Sequence, residues 1–141
     1  MLDWWEDYLW GIPMIIACLG FHVSGLISIE SIFQKHYFNI KSKSLSSYLI
    51  VISLASAAIL MLHVLESIAW AILYIKLSAF SEMKTSMLYS LNALTSYGHE
   101  NTQLQAQWKL LGAIESMNGV LIFGLTAAYL FSLMNEIRPK Q

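Results

Sequence analysis

Residues 86–101 read SMLYSLNALTSYGHEN, and a long apolar segment follows them from Trp108. In and just before this stretch, apolar side chains recur at helical spacing, at Met83, Met87, Leu88, Leu91 and Leu94. The spacing predicts a helix with one apolar face. About 13 residues give a helix of roughly 20 Å, which is too short to cross a bilayer core of about 30 Å. The chain can then turn back at Thr95-Ser96-Tyr97-Gly98, so the stretch has the layout of a re-entrant pore loop.

The composition indicates a membrane protein. The 141 residues are 57% hydrophobic and 12% charged, whereas an average soluble domain carries about 25% charged residues. The apolar residues fall in long blocks, as in transmembrane helices. A net charge of -1 gives no electrostatic footprint for nucleic acid, and no nucleophile with its base or phosphate-binding loop is recognisable. We therefore expect neither an enzyme nor a nucleic-acid partner.

We predict an all-α membrane protein with three transmembrane helices, a re-entrant pore helix and a filter loop. Residues 1–47 hold the first transmembrane helix, at about 9–33, and a basic cytoplasmic loop. The predicted pore domain is 48–141, with an outer helix at 48–76, a pore helix at about 82–94, a filter at 95–101 and an inner helix at 108–134. Each long segment exceeds the roughly 20 residues that a crossing needs.

The distribution of basic residues sets the predicted orientation. The 34–47 loop and the C-terminal tail are basic, through Lys35, Lys41, Lys43, Arg138 and Lys140. Basic loops stay on the cytoplasmic side, so we place both segments there. The acidic N-terminus and residues 77–107 then face outward, which three crossings satisfy.

A re-entrant helix followed by exposed carbonyl groups favours cations, because the C-terminal end of a helix has partial negative charge. The predicted site for a permeant monovalent cation, K+ or Na+, consists of Thr95, Ser96, Tyr97 and Gly98. No cofactor or other metal is predicted. One loop cannot enclose a pore, so we expect four copies around a central axis, which is a homotetramer. The lipid bilayer is the other expected partner, and no soluble partner is implied.

A series of short motifs runs through the second half of the chain. They are His63-Val64-Leu65-Glu66, Ala69-Trp70-Ala71, Tyr74, Tyr89-Ser90-Leu91, Thr95-Ser96, Gly98, Trp108-Lys109-Leu110-Leu111-Gly112-Ala113, Glu115, Asn118-Gly119 and Phe123-Gly124-Leu125-Thr126-Ala127. In this order, residues 63–134 resemble the small bacterial members of the two-transmembrane potassium channel superfamily. The resemblance covers about half of the chain. It implies a tetrameric channel in a bacterial inner membrane.

The filter of that family has the form Thr-Thr/Val-Leu/Val-Gly-Tyr-Gly-Asp. The aligned residues here are Thr95, Ser96, Tyr97, Gly98, His99, Glu100 and Asn101. Glu100 stands where the family has its second glycine, whose backbone conformation is costly for a residue with a Cβ. We therefore expect a shorter or wider filter with weak or altered selectivity, and an acidic ring of Glu100 at the outer mouth. Two alternatives stay open: a filter that still prefers potassium, and a non-conducting pore-loop protein that serves as a scaffold or binds lipid or a partner.

Several ionisable groups fall inside the predicted spans, where a charge is expensive and should face protein or water. We expect His63, Glu66, Glu115 and Asn118 to form a hydrogen-bonded buttress for the pore helix. The alternative is a proton relay or metal site built from His63, Glu66 and Glu115, which would make the chain a membrane-embedded proton or metal protein. His22 lies in the first span and has no obvious partner.

Small residues are spaced along the predicted inner helix, at Gly112, Gly119 and Gly124. Glycine commonly permits close contact between helices. The resemblance implies another role, in which Gly119 or Gly124 acts as a gating hinge. On the same helix, Thr126 and Ser132 are expected to line the inner cavity.

Overall fold

The computed structural model describes residues 4–37, 44–98 and 102–138. The elements in these residues are helices: α1 (Trp4–Tyr37), α2 (Leu45–Lys76), α3 (Met83–Leu94) and α4 (Lys109–Ile137), the last preceded by a 3-10 turn at Ala106–Trp108. Three of the helices, α1, α2 and α4 with its 3-10 turn, are long and apolar enough to cross a membrane. The predicted all-α class and the three membrane-length helices are therefore confirmed.

Each of the three long helices extends past at least one of its predicted ends, and the start of α2 shows why. The predicted outer helix begins at residue 48, whereas α2 begins at Leu45. Ser44 precedes it with an extended backbone, and the Ser44 Oγ accepts a hydrogen bond from the Ser46 N–H at 3.3 Å. A serine in this position satisfies a donor that the first turn would otherwise leave unpaired.

α1 and α4 run in the same direction, side by side. The Asp7 carboxylate contacts the Leu111 N–H near the start of both helices, and His22 contacts Thr126 farther along. Both pairs are separated by 104 residues in sequence. The two helices therefore keep one parallel register from Asp7 to His22.

α2 runs antiparallel to α4. Tyr74 contacts Glu115, and His63 contacts Thr126, so the numbers fall along α2 as they rise along α4. One side of the bundle therefore holds the first residues of α1 and α4 together with the last residues of α2. The opposite side holds the last residues of α1 and α4 together with the first residues of α2.

Asp7 caps α4 from a different helix. Trp108 occupies the N-cap position of α4 and makes no side-chain capping bond within the described part of the chain. The Asp7 Oδ1 accepts a hydrogen bond from the Leu111 N–H at 2.8 Å, and Asp7 is only 2% exposed. A carboxylate at this end also interacts favourably with the helix dipole. The acidic N-terminal segment therefore fixes where α1 sits on α4.

One apolar core joins all four helices. It includes Cys18 from α1, Trp70 from α2, Ala93 from α3 and Ile114 from α4, all of them buried. α1, which the sequence assigns to a separate N-terminal part, therefore packs in the same core as the predicted pore domain. Large apolar side chains such as Leu60 also lie on the outside of the bundle, as expected for helix faces that meet lipid.

α2 ends in a Schellman motif centred on Ser78. The Ser78 N–H donates to the Ile75 carbonyl, and the Ala79 N–H donates to the Tyr74 carbonyl. Ser78 adopts a left-handed backbone with φ 54°. Glycine is the usual residue at this position, because a Cβ makes the conformation costly.

Ser78→Gly should therefore stabilise the folded chain. Removing the Cβ relieves about 1–2 kcal/mol, and the extra freedom of glycine in the unfolded chain offsets about half of this, so we expect a net gain of about 0.5–1 kcal/mol. Thermal unfolding in detergent measures it. Ser81→Gly is the control, because Ser81 is an exposed serine nearby without a left-handed backbone. A lower unfolding temperature for Ser78→Gly would contradict the assignment of strain.

Candidate functional site

Small polar side chains hold α3 against α2. The Ser86 Oγ donates to the Ala71 carbonyl at 2.8 Å, and the Ser67 Oγ donates to the Ser90 Oγ at 3.1 Å. All three serines are fully buried. Because serine is small, the two helix backbones approach closely while each buried hydroxyl keeps a partner.

Glu115 connects α3, α2 and α4 at one point. Its Oε1 accepts a hydrogen bond from the Ser90 hydroxyl at 2.5 Å, and its Oε2 accepts one from the Tyr74 hydroxyl at 2.6 Å. The Glu115 side chain is completely buried. A chain of hydroxyl donors therefore runs from Ser67 through Ser90 and ends on this carboxyl group. The sequence predicts Glu115 as part of a buttress for the short helix, but it does not predict Tyr74 in that role.

Two glycines allow α3 to lie directly against α4. The Tyr89 hydroxyl lies against Gly112, and the Leu94 backbone lies against Gly119, in each case in the space that a Cβ would need. Gly119 is ten residues into α4, which corresponds to about 15 Å of helix rise. α3 therefore runs beside the first part of α4 and ends about 15 Å beyond its start.

The chain leaves α3 through a second Schellman motif, centred on Ser96. Ser96 has a left-handed backbone with φ 54°, and its N–H donates to the Ala93 carbonyl. The Tyr97 N–H donates to the Asn92 carbonyl. This pair of bonds reverses the chain direction directly after the helix.

The turn at 95–98 presents acceptor oxygens to the outside of the chain. All four residues are exposed, and Tyr97 is 85% exposed. The Thr95 hydroxyl donates to the Leu91 carbonyl at 2.7 Å, which leaves its oxygen lone pairs as acceptors. Within the described residues, the carbonyls of 95–98 accept no backbone hydrogen bond. The other predicted filter residues, His99, Glu100 and Asn101, lie outside the described residues.

A second polar cluster lies farther along the bundle and joins α1, α2 and α4. The His22 Nδ1 lies 2.9 Å from the Glu66 Oε1, and the His22 Nε2 lies 3.0 Å from the Thr126 Oγ1. The His63 Nε2 lies 3.2 Å from the same hydroxyl oxygen, and the His63 Nδ1 lies 3.3 Å from the Glu66 Oε2. All four residues are buried.

The structure groups the ionisable residues differently from the predicted sets. His22 has two partners, because α1 packs in parallel register on α4 and brings it level with Glu66. His63 and Glu66 therefore join His22, while Glu115 bonds to α3 instead. No hydrogen bond in the described part of the chain links His63 or Glu66 to α3. Thr126 is 9% exposed within the chain and lies between the two histidines, and its place along an inner cavity stays a prediction.

The remaining predicted residues have distinct surroundings. Asn118 is fully buried, and neither atom of its amide has a hydrogen-bond partner among the described residues. Gly124 is exposed, with no atom of the described residues within 4 Å of the place a Cβ would take, and Ser132 is also exposed. The backbone contact favours a packing role for Gly119. A hinge at Gly119 or Gly124 stays a prediction.

Sequence reasoning missed His22 and Tyr74 as members of these clusters, and it missed Asp7 as the cap of α4. A signal was available for His22, since an ionisable group inside a span needs a polar partner at the same depth. Tyr74 and Asp7 gave no such signal, because a tyrosine near a helix end and an acid near a terminus are both common at membrane interfaces.

The chain matches no protein-family model, no curated protein and no solved structure.

Proposed function

We propose that this chain is the subunit of a homotetrameric cation channel in a bacterial cell membrane, with α3 as its pore helix. One observation supports this above the others: α3 ends about 15 Å beyond the start of α4, and an exposed polar turn follows it. If α4 crosses a core of about 30 Å, the turn at 95–98 lies about halfway through. Exposed backbone acceptors cannot face lipid at that depth, so protein or water must cover them.

A cation is the ion that suits this turn. The C-terminal end of α3 has partial negative charge, and the carbonyls of 95–98 and the Thr95 oxygen are acceptors. Such oxygens can replace part of the water shell of K+ or Na+. Because Glu100 stands where a potassium filter has its second glycine, we propose weak or altered selectivity.

Several copies are needed to make a pore from this element. A single turn leaves one side open, whereas four turns around a symmetry axis enclose a path and cover each other's exposed oxygens. We propose that the starts of α1 and α4 face outward. The basic 34–47 segment connects the end of α1 to the start of α2, at the opposite end of the bundle, and basic loops stay on the cytoplasmic side. This places the N-terminus outside and the C-terminus in the cytoplasm.

Ion flux in lipid vesicles tests the proposal. Purified full-length protein is reconstituted and its oligomeric state measured, and reversal potentials are then recorded in K+ and Na+ gradients. We expect a cation current in which the two permeabilities differ by less than about tenfold, a difference below about 1.4 kcal/mol. Protein-free vesicles are the control. An assembled tetramer that passes no ion in any gradient would contradict the channel and favour the non-conducting scaffold.

Glu100→Gln should lower the cation conductance most strongly at low salt. A ring of four carboxylates at the outer mouth concentrates cations, and salt screens this effect. We expect a loss of about threefold at 0.01 M salt and almost none at 1 M, where the screening length falls to about 3 Å. Glu6→Gln, which removes an exposed carboxylate from the start of α1, is the control. An equal loss at both salt concentrations would rule out the acidic ring.

A further inference from the structure

The cluster of His22, His63, Glu66 and Thr126 has no part in the proposed pore turn. Thr126 lies two helical turns beyond Gly119 on α4. The side chains of the cluster come from α1, α2 and α4, and all are buried. A buried group of ionisable side chains within membrane-length helices is expensive. Its geometry therefore needs an explanation of its own.

If both imidazoles are neutral, the protons of this cluster do not fill its contacts. Four contacts close a ring, from Glu66 through His22, Thr126 and His63 back to Glu66. With an ionised carboxyl and two neutral imidazoles, the four groups supply three protons. One contact then brings two lone pairs together.

The unfilled contact can be located in the structure. The His63 Nδ1 and the Glu66 Oε2 face each other at 3.3 Å. Both atoms are buried, and neither makes a hydrogen bond within the described part of the chain. Two buried acceptors in this position favour a bound cation between them.

The donor set and its spacing suit a transition-metal ion. One ligand atom from each of His22, His63 and Glu66 lies within 4.8 Å of the others. Ligands at about 2.0 Å on a tetrahedral ion are roughly 3.3 Å apart, close to the 2.9 Å and 3.3 Å that separate the Glu66 oxygens from the two Nδ1 atoms. Two histidines and one glutamate are a known ligand set for Zn²⁺, with a fourth position open to water.

Thr126 completes the arrangement as an outer partner. If both Nδ1 atoms bind an ion, both Nε2 atoms carry protons, and each lies within 3.2 Å of the Thr126 Oγ1. A hydroxyl oxygen has two lone pairs and can accept both bonds. Histidines that bind metals usually donate their other ring N–H to an oxygen in this way. Every contact of the ring is then satisfied.

We propose that His22, His63 and Glu66 bind a divalent transition-metal ion of the Zn²⁺ class, with Thr126 orienting both imidazoles. The bound ion links α1 to α2 beside α4. Metal binding at this site does not depend on ion conduction, so the metal site can be tested separately from the proposed channel.

Metal content of the purified chain tests this site. Full-length protein without a polyhistidine tag is stripped with a chelator, incubated with Zn²⁺ and freed of unbound ion, and its metal is measured by mass spectrometry. We expect about one Zn²⁺ per chain. His63→Gln and Glu66→Gln should reduce this below about 0.1 per chain. The controls are His36→Gln, near the end of α1, and Glu30→Gln, and both should keep the ion.

Co²⁺ gives a second measurement that does not depend on how the variants fold. Wild-type protein loaded with Co²⁺ should show the visible absorption of a four-coordinate ion, which Zn²⁺ displaces and Mg²⁺ does not. A wild-type chain that binds neither Zn²⁺ nor Co²⁺ would overturn the proposal and leave a proton as the occupant of the ring. Binding that His63→Gln and Glu66→Gln leave intact would overturn it as well.

Discussion

Replacing Glu115 with alanine is expected to destabilise the chain by about 2–6 kcal/mol. The substitution leaves the buried hydroxyls of Ser90 and Tyr74 without their acceptor, and each unpaired buried group costs about 1–3 kcal/mol. α3 loses its bond to α4, so the turn at 95–98 should lose its fixed position. Thermal unfolding in detergent, together with the fraction of tetramer, measures the effect.

A matched substitution and a double-mutant cycle separate this contact from other effects. Glu136→Ala makes the same change at an exposed position of α4 and should shift stability by less than about 0.5 kcal/mol. Ser90→Ala combined with Glu115→Ala should lose less than the sum of the two single changes, because both remove the same bond. Full additivity would show that Ser90 and Glu115 do not interact, which is contrary to the proposed support of α3.

Gly119→Ala should weaken the protein although alanine is the better helix former. Helix propensity alone predicts a gain of about 1 kcal/mol. The added Cβ would overlap the carbonyl group and Cα of Leu94, and backbone atoms cannot rotate aside as a side chain can. We expect a net loss of about 1–3 kcal/mol, typical of overpacking, and a strong loss of conductance, because α3 must move away from α4.

Gly124→Ala is the control for this substitution. It lies on the same helix and has open space around it, so it should show the gain of about 1 kcal/mol that propensity predicts. The two variants should therefore shift the unfolding temperature in opposite directions. A Gly119→Ala variant as stable as Gly124→Ala would mean that α3 does not touch α4 at this point. An altered current in Gly124→Ala without a change in stability would instead favour the hinge.

Features set by local sequence could be predicted. The three membrane-length helices follow from long apolar blocks, and the short helix follows from apolar side chains at helical spacing before a polar turn. The short helix predicted at about 82–94 agrees in its bounds with α3 at Met83–Leu94, and its role as a pore helix stays a prediction. A contact of Glu115 with a side chain such as Ser90 can also be inferred from the sequence, because a buried carboxyl in a span needs a hydroxyl or amide nearby.

The position of α1 could not be predicted, because it depends on contacts between residues far apart in sequence. The parallel register of α1 on α4 is set by Asp7 and by the close fit of Gly11 on Ile114, and neither leaves a periodic signal. That register places His22 level with Thr126 of α4, and so beside His63 and Glu66 of α2. The site therefore differs from the predicted one: His22, to which the sequence assigns no partner, joins His63 and Glu66, and Glu115 bonds to α3. The role of Glu100 stays a prediction from the sequence.

In the proposed channel, the turns at 95–98 of several copies meet inside the membrane around one axis. A single-particle structure of the full-length chain in lipid nanodiscs tests it most directly. We expect four copies with these turns facing a shared path near the middle of the bilayer and cation density on the axis. Single chains, or an assembly in which the turns face lipid or bulk solvent and no central opening exists, would contradict it.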